Sequence, residues 1–533
     1  MSLARNTFVQ ASLTLVSRIL GFGRDLVANA QFGGQGPLMD AFATALMFPN
    51  LFRRLFAEGA FAQAFVPIYA KERAADGEVA ATRVASEAMS FLLAIVAASC
   101  IVAQIAMPSL MPFLLSAYVN DPEVMQTATL MTQLTMPYLA CMTLASLLSG
   151  VLNTSGRFAL SAGVPTLLNL CTIAALALAP NAEAAAIWVA FSVTVAGILQ
   201  AALLWWGVQR SGVRLRFGWP NATPAVRRVL WLAIPGALAG GATQLNSLVS
   251  QFLTGSDEGA RSVLYNADRL YQLPLGLIGV AIGLALVPRL SRHHAAGETQ
   301  AAASAMDDAI GLSMAFSVPA AVAFLIMPFF IIDATVTRGA FTSEDAQRTA
   351  DVLRQFAWGV PAFVLAKVFT PPFFARQDTR RPMYYAVASV IVNTALGAWL
   401  FFALPEIGID GVIGLGIATS VAGWLNVVLL AATLASDGVY KISARAWSRL
   451  LRLGGACAIM GVFAGFCATN YAMLRDLLWR KEVAVLAVAV AAFIIYAIAA
   501  LALGAVKLRE VRGALRREPG AAGGSDLPPA ADA

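Results

Sequence analysis

Arg18, Arg24, Asp25, Arg53, Arg54 and Glu58 stand inside two consecutive apolar stretches, SRILGFGRD (17–25) and DAFATALMFPNLFRRLFAEGAFAQAFVP (40–67). A charge at mid-bilayer costs from ~2.5 to more than ~10 kcal/mol, so several in adjacent membrane segments mark a site in use. Arg18 and Asp25 are seven apart, nearly one helix face. Gly21 and Gly23 lie between them as points where that helix can bend or open, and Pro49 does the same for the second stretch. Arg54 and Glu58 are spaced i,i+4, which predicts a local ion pair that glues helices, whereas Arg53 points about 100° away from it. Further on, Arg269 follows Asp268, and adjacent residues on a helix do not face each other. Arg354 and Lys367 occupy another apolar run, where snorkelling to the interface is as good an account as function. Arg18, Arg24, Arg53 and Arg269 outnumber the acids near them. Surplus cation in a membrane cavity predicts an anionic ligand, and the guanidinium fork suits phosphate.

Other chemistries find no residues. His293-His294 are the only histidines and sit in a loop beside Arg292 with no third ligand near, which argues against a metal site. Cys100, Cys141, Cys171, Cys457 and Cys467 lie singly in apolar runs and read as small hydrophobes. There is no GxSxG, HExxH or Walker loop, so the expectation is no enzyme, no cofactor and no nucleotide-driven step. The net charge of +7 comes from basic residues scattered through short loops, which excludes a nucleic-acid surface.

The elements that position the arginines are membrane helices. The 533 residues are 59% hydrophobic and 13% charged, with mean hydropathy +0.71; soluble chains carry about 25% charged residues. A window of about 20 apolar residues yields fourteen spans: 8–32, 40–68, 88–115, 125–152, 159–180, 185–208, 228–254, 263–288, 308–332, 350–373, 382–403, 410–434, 450–472 and 483–505. The first is read as a retained span, since no small-x-small cleavage site follows it. Of the 37 Lys and Arg, 24 fall on the side that holds both termini, 6 on the other and 7 within spans. That asymmetry predicts cytoplasmic termini. Trp205, Trp206, Trp399, Trp447 and Trp479 sit near span ends, as interfacial aromatics do.

Two landmarks recur about six spans apart. GAFAQAFVPIYAKERA (59–74) pairs with GVAIGLALVPRLSRHHA (279–295), matching Pro67 with Pro288. NTSGRF (153–158) before Asn169 pairs with RQDTRRP (376–382) before Asn393. An even number of spans gives both copies one orientation, the plan of a two-lobed transporter. The expected divisions are 1–220 (spans one to six), 221–440 (seven to twelve), an extra helix pair at 441–508, and a disordered tail over 509–533, Gly/Pro/Ala-rich from Glu518 on.

SRILGFGRD, FPNLFRRLFAEGAFAQAFVP (48–67), YNADRLYQLPLG (265–276) and FFARQDTRRP (373–382) resemble the MurJ/MviN lipid II flippases of the multidrug/oligosaccharidyl-lipid/polysaccharide exporter superfamily. The resemblance covers residues 1–470 closely and the last spans loosely. One departure is Asn266, where many members carry a second tyrosine. It implies an all-α protein of fourteen helices, two lobes around a V-shaped central cavity, and alternating access in the bacterial inner membrane. The implied substrate is the undecaprenyl-pyrophosphate-linked peptidoglycan precursor. It assigns substrate binding to Arg18, Arg24, Arg53 and Arg269, with Asp25, Asp40 and Glu58 as acidic neighbours and a lipid-tail groove at spans thirteen and fourteen. Coupling to the membrane potential or to a cation is compatible with the reading. A cation-coupled drug exporter of the same superfamily would need acidic cavity residues and twelve spans. A membrane enzyme would need a catalytic set, and a non-transporting scaffold would not need charged spans.

Overall fold

The computed structural model describes residues 3–56, 60–228, 231, 249–276, 298–376 and 378–506; for 3–11, 52–56, 60–64, 67 and 299 it describes the backbone alone. Among these the chain is helical throughout, as lipid demands: with no water to bond the backbone, each span must satisfy its N–H and C=O groups internally. The first half comprises α1 (Leu3–Phe32), α2 (Pro37–Phe56), α3 (Ala60–Ala75), α4 (Gly77–Leu114), α5 (Pro122–Thr135), α6 (Tyr138–Thr154), α7 (Phe158–Gly163), α8 (Pro165–Leu178) and α9 (Ala182–Arg210). A helix over 260–276, here α10, follows. Then come α11 (Thr299–Ile326), α12 (Pro328–Thr335), α13 (Ser343–Ala357), α14 (Val360–Phe369), α15 (Arg380–Ala403), α16 (Gly411–Ser436), α17 (Ala444–Thr469) and α18 (Lys481–Ala502).

Ten segments are long and apolar enough to cross a membrane. They coincide with expected spans three to six and nine to fourteen. Spans one and two correspond to α1 and to α2 with α3. Of spans seven and eight only part lies among the described residues, so the Pro288 landmark, the histidine pair and the tail over 509–533 lie outside them.

The two halves are built alike. In each, a span is broken in its middle: α5 gives way to α6 at Met136-Pro137, and α13 to α14 at Trp358-Gly359. Proline withdraws a backbone donor, so the ladder cannot run through the first break. Each broken span starts on a side-chain cap. Asp121 accepts from the Glu123 and Val124 amides, and Thr342 forms a capping box with Asp345. The broken span packs on α9 in the first half and on α16 in the second; α8 packs on α9 as α15 packs on α16. Those last helices also start alike, capped by Asn181 and Asp410. α17 and α18 pack on each other and against α11 and α12, outside this pattern. Beyond the end of α16, Arg376 and Arg381 converge on Asp437, and the Arg376 hydrogen bond holds that carboxyl below the usual carboxylate range.

Helix α1 runs unbroken through Gly21 and Gly23, and α2 through Pro49. The expected bending points are therefore not used as breaks in this structure. Gly21 instead admits Asn169, whose Nδ2 donates to the Ser17 carbonyl at 2.8 Å. Small residues set the other close crossings, as is usual where helices pack without a hydrophobic driving force. A Cβ on Gly414 would stand 2.5 Å from Leu400 Cβ and 3.0 Å from its carbonyl carbon, whereas one on Gly454 would meet nothing within 4 Å. Gly414→Ala is expected to lower stability by about 1–3 kcal/mol through overpacking and Gly454→Ala to be neutral. Thermal unfolding midpoints in detergent check the contrast.

Candidate functional site

The site is assembled where α1 of the first half meets α10 of the second, as an antiparallel seam of polar residues. α1 supplies Arg18, Arg24, Asp25 and Asn29; α10 supplies Tyr265, Asn266, Arg269 and Gly276. At the centre is one carboxylate. Arg24 reaches Asp25 Oδ1 with Nε at 3.0 Å and Nη2 at 2.7 Å. Tyr265 Oη donates to the same oxygen at 3.0 Å and accepts from Arg24 Nη2 at 3.2 Å. Arg269 Nε lies 3.5 Å from Oδ2, with its guanidinium carbon 4.8 Å from the centre of the Tyr265 ring. Arg24 and Asp25 are only 6% and 4% exposed. Buried ions persist only when paired and hydrogen-bonded, and here two guanidiniums and a phenol from both halves share one acid. Asp25 thus pairs with Arg24 and Arg269, not with Arg18 seven residues back. Asp268 turns instead to Gln272, which donates to it.

One turn along, Asn29 and Asn266 exchange both amide bonds, 2.8 and 2.9 Å. Asn266 is the position that departs from the resemblance, and its amide suits this reciprocal pairing.

Toward the C-terminus of α1 the seam is closed. Asp40, fully buried at the start of α2, accepts from the Gly259 amide at 2.9 Å, the Ser262 amide at 2.8 Å, Ser262 Oγ at 2.5 Å and Tyr118 Oη at 3.0 Å. It caps α10 across the interface, satisfying orphan amides that a residue preceding the helix would ordinarily take. Beside it Arg261, 2% exposed, donates to Thr44 Oγ1 and to the Leu114 and Gln251 carbonyls. The sequence reading counts Arg261 as a loop cation. The structure corrects that, because carbonyls left free by helix ends replace its water. Arg348 spans Asp257 at 2.7 Å and Asp410 at 2.5 Å and donates to Gln35 Oε1 at 3.0 Å. The Gly34 amide donates to Asp345 Oδ2 at 3.1 Å, and the Ala340 amide to the Ala30 carbonyl at 2.8 Å.

The opposite end is open. Arg18 is exposed and lies against Gly276, and Lys367 on α14 is exposed too. Between the ends a cavity of about 190 Å³ is lined by Ala43, Met47, Asn50 and Leu51 of α2, by Tyr265, Asp268, Arg269 and Gln272 of α10, and by Phe356 and Thr419. The Arg53 and Arg54 side chains and Glu58 lie outside the described residues. Arg354 is surface-exposed and pairs with Asp351 at 3.5 Å, away from this seam. Tyr265, Asn29, Asn266 and Arg348 were not singled out from sequence. The polar residues at 265, 266, 269 and 272 in an otherwise apolar run carried a signal for the first and third; nothing local marked Arg348.

The chain matches the family model described as "Lipid II flippase MurJ" over residues 29–501. It is 37% identical over 529 residues to a probable lipid II flippase MurJ of Rhizobium tropici, covering 97% of each chain, and equally similar to that of Rhizobium meliloti (strain 1021). The lipid II flippase MurJ of Burkholderia cenocepacia is 33% identical over 482 residues, covering 88% of this chain and 91% of that one. Among solved structures, a lipid II flippase MurJ in an inward closed conformation superposes with TM-score 0.76 at 23% identity, covering 95% of this chain and all of that one. An inward-facing multidrug-resistance transporter of the MATE family superposes with TM-score 0.66 at 13% identity, covering 80% and 98%. At those identities the two structures speak for the fold alone.

Removing the cross-interface cap has a measurable cost. Asp40→Ala strands the Gly259 and Ser262 amides in a buried site, at about 1–3 kcal/mol for each unsatisfied donor. A fall of several degrees in the thermal midpoint is expected, and a smaller one for Asp40→Asn, which keeps an acceptor oxygen. Equal midpoints for wild type and Asp40→Ala would contradict the assignment.

Proposed function

Because the chain belongs to the MurJ family of lipid II flippases, we propose that it carries lipid II, the undecaprenyl-pyrophosphate-linked peptidoglycan precursor, from the cytoplasmic to the periplasmic leaflet of the bacterial inner membrane by alternating access. The observation that carries this reading is the Arg24–Asp25–Arg269 cluster: cations from both halves meet on one buried carboxylate beside an interior cavity.

A diphosphate entering such a cavity loses its hydration, and only aimed donors replace it. Arg18, Arg24, Arg53 and Arg269 are those donors. Asp25 occupies the two inner arginines when substrate is absent, so the incoming diphosphate exchanges with a carboxylate and no bare cation is ever buried. A ligand that engages Arg24 and Arg269 together holds the halves in one state; its departure returns them to Asp25. The lobes are residues 1–220 and 221–440, which rock against each other, with 441–508 as an added pair and 509–533 as a tail. Both termini are cytoplasmic. The closed end of the seam, around Asp40 and Arg348, is then periplasmic, and the open end at Arg18 faces the cytoplasm. Among the described residues no group of His, Cys, Asp and Glu is arranged to hold a metal, so coupling through the membrane potential or a monovalent cation suits the charges better. A cation-coupled drug exporter would want acids in surplus where this cavity has arginines.

Arg24→Ala and Arg269→Ala are expected to cut lipid II flipping by at least about tenfold, since each removes charge-assisted bonds of ~1.5–3 kcal/mol. Protein abundance in the membrane should stay normal. Arg→Lys should restore part of the activity, because an ammonium lacks the fork. Flipping in cells, normalised to abundance, is the assay; normal flipping by both alanine variants would reduce the cluster to structural glue. For topology, a cysteine at Ser256 should react with a membrane-impermeant thiol reagent added from the periplasmic side. Labelling only from the cytoplasm would invert the arrangement.

A further inference from the structure

The cations along the seam are not equivalent, and the difference points to a second anion site. Arg24 and Arg269 are occupied by Asp25. Arg18 lies two helical turns away on α1, and the residue it touches, Gly276, lies two turns beyond Arg269 on α10, about 10 Å at ~1.5 Å per residue. A Cβ on Gly276 would stand 1.6 Å from Arg18 Nη1 and 2.6 Å from its guanidinium carbon. The guanidinium therefore rests on bare backbone, a seat that only glycine provides. Lys367 lies within electrostatic reach of Arg18. It stands exposed on α14, while Val364 and Val368 are fully buried, and Leu365 and Phe369 are 9% and 2% exposed. A lone open residue on so buried a helix opens onto the interior cleft. Among the described residues no carboxylate forms an ion pair with Arg18 or Lys367. Two like charges held near each other without an acid stabilise neither one; an anion between them relieves both.

We infer that Arg18, seated on Gly276, and Lys367 form a first docking station for a diphosphate group, open in this state, ahead of the inner station that Asp25 occupies. The inference rests on the transport reading for its physiological ligand and adds a residue, Lys367, and a positioning residue, Gly276, to it. One cation comes from each half, so the station is complete only while this end of the seam keeps its present spacing.

The test uses the full chain in lipid nanodiscs, with inorganic pyrophosphate and a short-chain prenyl diphosphate as probes and the corresponding prenyl alcohol as control. Binding is read by native mass spectrometry. Lys367→Gln is expected to weaken diphosphate binding about tenfold, the loss of one charge-assisted contact, and Lys367→Arg to retain it. Gly276→Ala should weaken it similarly with an unchanged thermal midpoint, because only the far end of a flexible side chain is displaced. Binding of both diphosphates, sensitive to Lys367→Gln, supports a site for the free group; sensitivity confined to the prenyl diphosphate supports a lipid headgroup site. Wild-type affinity in Lys367→Gln, or equal losses for the alcohol, overturns the proposal. The transport reading fails separately: Arg24→Ala and Arg269→Ala that still flip would sink it even where Lys367→Gln weakens binding. If those two stop flipping while Lys367→Gln binds normally, only the docking station falls.

Discussion

A carboxylate buried in a membrane protein must be bonded on every side or be neutralised, and Asp25 is bonded from both halves of the chain at once. Its partners on α1 and α10 are separated by some 240 residues of sequence. Neither half alone can satisfy it: separated, Asp25 would keep Arg24 but lose the Tyr265 hydroxyl and Arg269. The docking of α1 on α10 and the placement of the cavity both follow from that requirement, because the helices must approach closely enough for a phenol and two guanidiniums to share one acid. A cluster of this kind is weak evidence for stability, since a buried ion pair barely offsets its own desolvation. It is stronger evidence for specificity of docking, and for a place where a different anion can compete.

The seam is graded from end to end. At one end, helix ends are capped across the interface by Asp40 and Asp345, and Arg261 is enclosed by carbonyls. These are bonds to backbone groups, fixed in direction and lost as a set if the halves part. In the middle, the amide pair of Asn29 with Asn266 and the Asp25 cluster are side-chain contacts that can be exchanged one for another. At the other end stand Arg18 and Lys367, cations exposed to water. Donors at that end are open while acceptors and donors at the far end are consumed, which gives the structure a direction without any sequence asymmetry between its halves.

Repetition supplies the frame. The broken spans α5–α6 and α13–α14, each capped at its start and each packed on the last helix of its half, put an interruption at matching depths. Interrupted helices in matching positions of two halves are where transporters place movable backbone. The functional side chains, however, are not repeated. Asp25 and Arg24 have no counterparts among the residues that bond them, so the site is heterologous although the scaffold is symmetric.

The sequence by itself determined the class of protein, most of its spans and the identity of the helices that carry charge. Hydropathy over a 20-residue window and the imbalance of Lys and Arg are properties of local composition, and the membrane reads them locally. It also determined that arginine exceeds acid in the first two spans. Only the tertiary structure decided the partners. Arg18 and Asp25 share a helix face, yet Asp25 belongs to Arg24, Tyr265 and Arg269. Arg261, loop-like by position, is enclosed; Asp40, near arginines in sequence, caps a distant helix; Gly276 matters for what rests on it. The physical reason is that a charge's partner is chosen by which surfaces meet when the halves dock. That choice depends on distances between residues hundreds of positions apart, which no window along the chain contains.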